Sequence, residues 1–262
     1  MTIPTEPVPA PDLVRELAGD GHLTLAWRNE LGGLTFRVDP PEPTDPATFV
    51  KWSPRTDRAL TEWIDLVDEA ARMRWAEPYT TVPHVLEVGT DGDADWLVTV
   101  ALDARSAVDP RWLAEPETAA RAIGAGLRAL HDSLPVDQCP WTWSIDDRLA
   151  VAEDRAARGH AAPGWSPEAR ARLADAPEHD RLVVCHGDAC APNTLLADDG
   201  AWFGHVDLGA LGVADRWADL AIATYSLGWN YGPGYDHLVY EAYGIDEDSD
   251  RVAWYRLLWD LG

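Results

Sequence analysis

Lysine is all but missing from this chain: of its 21 basic side chains only Lys51 is an ammonium, and every other one is a guanidinium. Basic charge is scarce altogether, since 45 acidic residues leave a formal net charge of −24. A field of that sign repels a phosphate backbone and attracts cations, so nucleic acid is disfavoured as a partner and a small, cationic, amine-bearing molecule is favoured. Most of these acids read equally well as a solvated face, the product of an acidic proteome. Cysteine occurs three times, at Cys139, Cys185 and Cys190. An odd count without framework spacing argues against a disulfide scaffold and suits buried thiols in a reducing cytoplasm. No run approaches 18 apolar residues, and the opening MTIPTEPVPAPDL has neither a basic start nor an apolar stretch. Neither a membrane span nor a leader is therefore expected. The composition predicts a soluble cytoplasmic protein whose 262 residues and 46% hydrophobic content suffice for a real core. A monomer or homodimer is expected, a choice that the sequence itself does not decide.

What is present starts with that lysine, in Phe49-Val50-Lys51-Trp52. An ammonium is a compact point charge that fits between two phosphates and a carboxylate, where a planar guanidinium demands a wider fork. Taken by position alone, Lys51 also reads as an ordinary surface lysine. Downstream, Arg58 to Trp75 shows helical periodicity, with Trp63, Leu66, Val67, Ala70 and Met73 on one face and Glu69 beside the stripe. The interval from Lys51 to Glu69 leaves room for a strand end, a loop and about three helical turns, so the two can pair.

The segment from Val183 to Asp219 carries the rest of the chemistry. Asp188 is followed five positions later by Asn193, the D-x-x-x-x-N separation of a phosphoryl-transfer loop, and Asp207 follows an apolar strand in Val206-Asp207-Leu208-Gly209. Phosphoryl transfer receives little covalent help, so its catalysis is positioning plus charge neutralisation. Asp188 suits the carboxylate that orients the attacking hydroxyl and accepts its proton. Asn193 and Asp207 suit hard oxygen ligands for Mg²⁺. A zinc reading of Cys185, His186, Asp188, Cys190 and His205 is weak, because their spacing fits no ligand pattern. Arg216 and Asp219 read as a structural pair or helix cap, with a substrate contact for Arg216 as the lesser alternative.

Along the chain, a short helix is expected over Asp12 to Ala18 and strands over His22 to Trp27 and Leu34 to Val38. The loop between them, Arg28-Asn29-Glu30-Leu31-Gly32-Gly33, stands where a nucleotide-covering hairpin would lie, though it lacks a full G-x-G-x-x-G and reads also as an ordinary turn. Further strands are expected around Lys51, at Val85 to Val88 and at Trp96 to Leu102, followed by a connector near Val100 to Ala104. Helices follow over Thr118 to Leu134, over Asp146 to Arg158, and from Arg216 onward with a break at Trp229-Asn230-Tyr231-Gly232-Pro233-Gly234. Among the 14 tryptophans, Trp141, Trp143, Trp165, Trp229 and Trp259 either stack on a sugar ring or pack, with packing the default.

With these residues in view, the chain resembles the aminoglycoside 3'-phosphotransferases and their streptomycin-modifying relatives. The likeness is densest in HGDACAPNTLL, HVDLGALGVADRWADLA, YGIDEDSDRVAWYRLLWDLG and LRALHDSLPVDQCPW. It implies an α+β, bilobal protein-kinase-like fold: a small N-terminal antiparallel β lobe with one main helix over residues 1–102, binding nucleotide, and a larger, mostly helical lobe over 103–262, holding catalysis and substrate. It implies Asp188 as the catalytic residue and Asn193 and Asp207 as ligands of Mg²⁺. Lys51, Glu69, Asn29, Gly32 and Gly33 fall to ATP or GTP, Asp260 and Arg216 to the acceptor, and His186 to supporting the loop. The implied reaction is transfer of the nucleotide γ-phosphate to a hydroxyl of an aminoglycoside-like antibiotic. The alternatives are a kinase of another amine- or sugar-containing molecule, or a non-catalytic nucleotide-binding pseudokinase. A protein kinase is disfavoured, since no activation segment with A-P-E follows Asp207. Two departures bear on the acceptor. The stretch Arg155 to Trp165, where kanamycin-accepting members carry an acidic loop, holds no carboxylate, and Leu261 stands where a second acid usually follows the one matched by Asp260.

Overall fold

A computed structural model of the chain describes residues 8–29, 31–42, 44–55 and 65–261. It divides into two compact units, residues 1–103 and 104–262.

The first unit is a five-stranded antiparallel sheet of β1 (His22–Arg28), β2 (Leu34–Asp39), β3 (Thr48–Pro54), β4 (Val85–Thr90) and β5 (Ala94–Val100), in the order β1-β2-β3-β5-β4. Alternation decides its faces. Leu34, Phe36 and Val38 are buried while Thr35, Arg37 and Asp39 between them are not. That face, with Val50 and Val98, meets Val14 of the short helix α1 (Asp12–Ala18). Because Val50 points to this core, period-2 alternation sends Lys51 to the opposite side, where α2 (Leu66–Ala76) lies against β4 and β5. Asp65 caps α2 by accepting from the amides of Val67 and Asp68, and Leu66, Glu69, Ala70, Met73 and Ala76 form its buried face. The expected stripe differs in one member: Val67 is 43% exposed, and Glu69 occupies the i+3 position from Leu66 instead. Residues 58–64 of the expected helix, Trp63 among them, lie outside the described residues.

The second unit is mostly helical. Its centre is α4 (Pro116–Ser133), preceded by the β6 pair Arg105–Ser106 and the short α3 (Pro110–Leu113). Ala119, Ile123, Leu127 and Leu130 of α4 are buried, and α4 packs closely on α8 (Asp236–Tyr243). Gly124 permits this approach, since a Cβ there would stand 2.3 Å from the Val239 carbonyl oxygen. The helices α5 (Ile145–Ala157) and α6 (Pro167–Leu173) start at Ser144 and Ser166, whose hydroxyls accept from the amides of Asp147 and Ala169. Between them and the C-terminus lie β7 (Leu182–Cys185), β8 (Thr194–Leu196), β9 (Trp202–His205) and β10 (Gly212–Asp215). β7 pairs with β10, and β8 joins β6 to β9. The apolar helix α7 (Trp217–Asn230) is buried over most of its length and packs against α9 (Ser249–Leu261). The expected glycine-proline break separates α7 from α8. The α+β class, with a small antiparallel sheet unit carrying one main helix and a larger helical unit, is as the sequence predicts. No helix among the described residues is long and apolar enough to cross a membrane.

Candidate active site

In the first unit, Lys51 Nζ donates to both oxygens of Glu69, at 2.8 and 2.9 Å. The partners differ in burial, with side-chain exposures of 26% for Lys51 and 5% for Glu69. The buried carboxylate therefore holds a more accessible ammonium in place, the arrangement a phosphate-binding lysine needs. The loop after β1 is folded by its own side chain: Asn29 Oδ1 accepts from the amides of Leu31 at 3.0 Å and Gly33 at 2.7 Å. Gly32 has a φ of 89°, and a Cβ on Gly33 would come within 2.5 Å of the Asn29 amide nitrogen. With the Asn29 oxygen committed to the turn, Asn29, Gly32 and Gly33 form a tight backbone hairpin; Glu30 lies outside the described residues.

In the second unit, β7 delivers His186-Gly187-Asp188 from a fully buried strand end. Gly187 has a φ of 83°, and a Cβ there would lie 2.1 Å from the Ala210 carbonyl oxygen, so only glycine fits. His186 spends both ring nitrogens on the backbone: Nδ1 accepts from the Asp188 amide at 3.3 Å and Nε2 donates to the Val206 carbonyl at 2.9 Å. The ring thus ties the Asp188 loop to the segment bearing Asp207, with no nitrogen left for proton transfer. Asn193 Nδ2 donates to the Asp188 carbonyl at 2.9 Å and to Asp188 Oδ2 at 3.3 Å. That orientation leaves the amide oxygen to face a cation. Asp207 has a φ of 66°, the only non-glycine left-handed conformation among the described residues. Strain of about 1–2 kcal/mol is typical of such a position and marks functional sites.

Asp188 Oδ1 is buried without a hydrogen-bond partner, an arrangement that costs about 1–3 kcal/mol unless a ligand supplies the missing donor. Burial first, and then the Asp207 charge, push the Asp188 carboxyl above its ordinary range, against the Cys190 thiol, His186 and Arg148. Two repelling carboxylates beside an amide oxygen are the hard donor set that suits Mg²⁺. Asn193 and Asp207 therefore fit the metal role assigned to them.

The scaffold under this loop was not legible in the sequence. Fully buried Asp219 accepts from the amides of His186 at 2.6 Å and Gly187 at 2.9 Å, and is 3.0 Å from His131 Nε2. Burial raises the Asp219 pKa, but His131, His186 and the Gly187 amide outweigh it and leave the carboxyl below its ordinary value. The expected Arg216–Asp219 pair is not formed. Arg216 instead binds Asp180, through Nε at 2.7 Å and Nη2 at 2.5 Å. Cys185 meets His131 and Asp219 in the one cluster of ligand-type groups found among the described residues. It differs from the set considered for zinc, and its thiol donates to the Asp215 carbonyl at 3.4 Å. Arg148 of α5 stacks on Trp143, 3.8 Å from the ring centroid, and reaches the Gly187 carbonyl at 3.5 Å. Burial brings its pKa down to about 10, with Asp188 and Asp219 opposing. The sequence signal for Asp219 is an acid within the otherwise apolar run Trp217 to Ala223. At the far end of α9, Asp260 is exposed and accepts from Tyr225 Oη at 3.4 Å.

Comparison with known proteins agrees with this geometry. The family model described as "Phosphotransferase enzyme family" matches residues 34–255. An aminoglycoside 3'-phosphotransferase of Streptomyces fradiae is 37% identical over 238 residues, 83% of this chain and 86% of that protein. The crystal structure of an aminoglycoside-3'-phosphotransferase of type VIII superposes with a TM-score of 0.78 at 28% identity, covering 95% of this chain and 97% of that one. An aminoglycoside phosphotransferase of Streptomyces rimosus, solved with ADP and streptomycin, gives 0.73 at 27% identity, covering 95% and 96%.

Proposed function

We propose, for a chain that belongs to the phosphotransferase enzyme family, the transfer of the γ-phosphate of ATP or GTP to a hydroxyl of an aminoglycoside-like antibiotic. The observation that carries this reading is the buried Asp188 carboxylate, whose Oδ2 accepts from Asn193 at 3.3 Å, which the Asp207 charge acts on, and whose Oδ1 has no partner. The acceptor O–H donates to that oxygen. As the acceptor oxygen bonds to the γ-phosphorus, the bond to the β–γ bridging oxygen breaks, the proton passes to Asp188 and the nucleoside diphosphate departs. The first unit, through Lys51 held by Glu69 and the hairpin Asn29–Gly33, takes the nucleotide. The second takes the acceptor, and its Asn193 and Asp207 hold Mg²⁺, which when bound neutralises phosphate charge. A nucleotide-dependent enzyme of this kind works in the cytoplasm, where its phosphate donor is.

Two observations bear on which antibiotic is accepted. The stretch Arg155 to Trp165 offers no carboxylate to a polycation, and a related structure holds streptomycin. Together they keep a streptomycin-like acceptor beside the kanamycin-like and neomycin-like ones. The test is ADP or GDP release with Mg²⁺ across all three acceptor groups. Asp188→Asn is expected to lower acceptor-dependent turnover by about 10²- to 10⁴-fold while still binding nucleotide. Turnover persisting in that variant would remove Asp188 from the chemistry, and the acceptor that supports turnover names the substrate group.

A further inference from the structure

Arg148 is a cation without an acid. Arg72, Arg216, Arg251 and Arg256 are half-buried, and each meets a carboxylate. Arg148 is half-buried too, yet among the described residues it forms no ion pair: it touches the Trp143 ring, 3.8 Å from the centroid, and the Gly187 carbonyl at 3.5 Å. Burial is the largest influence on its guanidinium, and the acids acting on it are Asp188 and Asp219. A desolvated charge without a partner costs stability, so its presence here needs a reason.

Local structure sets its position. Residues 141–143 lie along β10: the Trp143 amide donates to the Val213 carbonyl at 3.0 Å, the Val213 amide donates to the Trp141 carbonyl at 2.9 Å, and Thr142 bridges Val213 in parallel. β10 in turn pairs with β7, whose end leads into His186-Gly187-Asp188. Ser144 then caps α5, which makes Trp143 the residue before the cap and Arg148 the fourth residue of the helix. An apolar pair at these two positions fixes the entry of a helix. A leucine or methionine would serve that purpose on the indole with no charge to desolvate. The guanidinium therefore supplies something besides packing.

What it supplies is directed at one peptide. Buried Trp143 donates its indole N–H to the Gly187 carbonyl at 3.0 Å, and Arg148 Nη2 donates to the same oxygen. The N–H of that peptide, on Asp188, goes to His186 Nδ1 at 3.3 Å. Gly187 itself has a φ of 83° and no room for a Cβ. Turning its carbonyl would turn Asp188, since the two belong to one planar group. Trp143 holds the oxygen by a neutral bond, and Arg148 adds a longer, charge-assisted one.

We propose that Arg148 is a positioning residue for phosphoryl transfer: stacked on Trp143 and reaching the Gly187 carbonyl, its guanidinium holds the Gly187–Asp188 peptide so that the Asp188 carboxylate meets the acceptor hydroxyl. The inference rests on the phosphotransfer reading. Its test compares the wild-type chain with Arg148→Met, which keeps an apolar contact on Trp143 and removes the charge, and with Arg148→Lys, which restores a charge. Kinetics are run with the acceptor of highest turnover, and hydrogen exchange is followed over residues 186–193 without substrates. Arg148→Met is expected to keep its Tm close to wild type and to lower kcat about 10²-fold, the scale of a misplaced reacting group. Nucleotide and acceptor KM should stay within about twofold, the pattern of an interaction that matters only in the transition state. Arg148→Lys should recover about tenfold of the loss, since an ammonium carries charge but neither forks nor stacks as a guanidinium does. Exchange over 186–193 should run about tenfold faster in Arg148→Met, the weight of one hydrogen bond to a charged group.

A kcat in Arg148→Met within about threefold of wild type overturns the proposal, because the apolar contact at the helix entry then suffices. So does a lysine variant no better than the methionine one, or a methionine variant whose Tm and both KM values move with kcat, the mark of a structural role. Unchanged exchange over 186–193 overturns it as well, whether or not wild type turns over. If wild type releases no nucleoside diphosphate with any acceptor, the phosphotransfer reading falls, while faster exchange in Arg148→Met that Arg148→Lys reverses keeps the hold on the Asp188 peptide.

Discussion

A fully buried carboxylate is stable only if its neighbours replace the water it has lost. Asp219 has two amides and His131 for this purpose, and removing it would strand those donors under the catalytic loop. Breaking such a buried pair costs about 3–5 kcal/mol, so Asp219→Ala is expected to lower the urea midpoint sharply at neutral pH. The pH dependence follows from the direction of its pKa. A carboxyl held below its ordinary value contributes stability that is fully present above the unfolded pKa of about 3.9 and lost as pH falls through the folded value. Urea midpoints followed from pH 7 to pH 3 should show a shallower acid decline in Asp219→Asn than in wild type. Parallel declines would mean that other carboxylates carry the acid sensitivity. At this scale the legible residues were those whose relationships are local in sequence: Asp188 to Asn193 is a five-residue interval, and Asp207 lies two residues past β9. Asp219 escaped because its partner His131 is 88 positions away. Arg216 was paired with Asp219 for being near it, whereas its real partner, Asp180, is 36 positions upstream.

Elements were legible through their period, and their ends were misplaced by a residue or two where caps decide. The helix expected from Thr118 begins at Pro116, since proline suits a first turn that has no amide to satisfy. The helix expected from Asp146 begins at Ile145 behind the Ser144 cap. The side of a helix was less legible than its existence: in α2 a single position separates buried Leu66 from exposed Val67, and the buried acid Glu69 imitates a surface residue in any hydropathy pattern. Helical glycines offer a test of packing against propensity. A Cβ at Gly228 of α7 would have no heavy atom within 4 Å, while one at Gly124 of α4 would strike the Val239 carbonyl. Gly228→Ala should therefore stabilise by about 0.5–1 kcal/mol, read as a Tm rise of about 1–4 °C in a chain of this size. Gly124→Ala should lower Tm. A Gly124→Ala protein as stable as wild type would show that α4 and α8 can separate without loss.

The whole molecule carries a formal charge of −24, a property read directly from composition and independent of any contact. Its functional meaning turns on whether the field acts on the substrates or merely keeps the surface solvated. Both proposed substrates are charged, and with opposite sign: an aminoglycoside-like acceptor is a polycation, and a nucleotide triphosphate remains an anion with Mg²⁺ bound. A steering field must then act on them in opposite directions. Screening shortens its reach to about 10 Å at 0.1 M salt and about 3 Å at 1 M. Raising NaCl from about 0.05 to 0.5 M is therefore expected to increase acceptor KM several-fold, leave kcat nearly constant, and leave nucleotide KM flat or lower. Initial rates measured over that range with each substrate varied in turn decide the matter. If both KM values rise together, salt is weakening short-range ion pairs such as that of Lys51 with Glu69, and long-range attraction has no part in bringing the acceptor to Asp188. If neither moves, the acidic surface is a solvated face, and acceptor recognition falls to the contacts of the second unit alone.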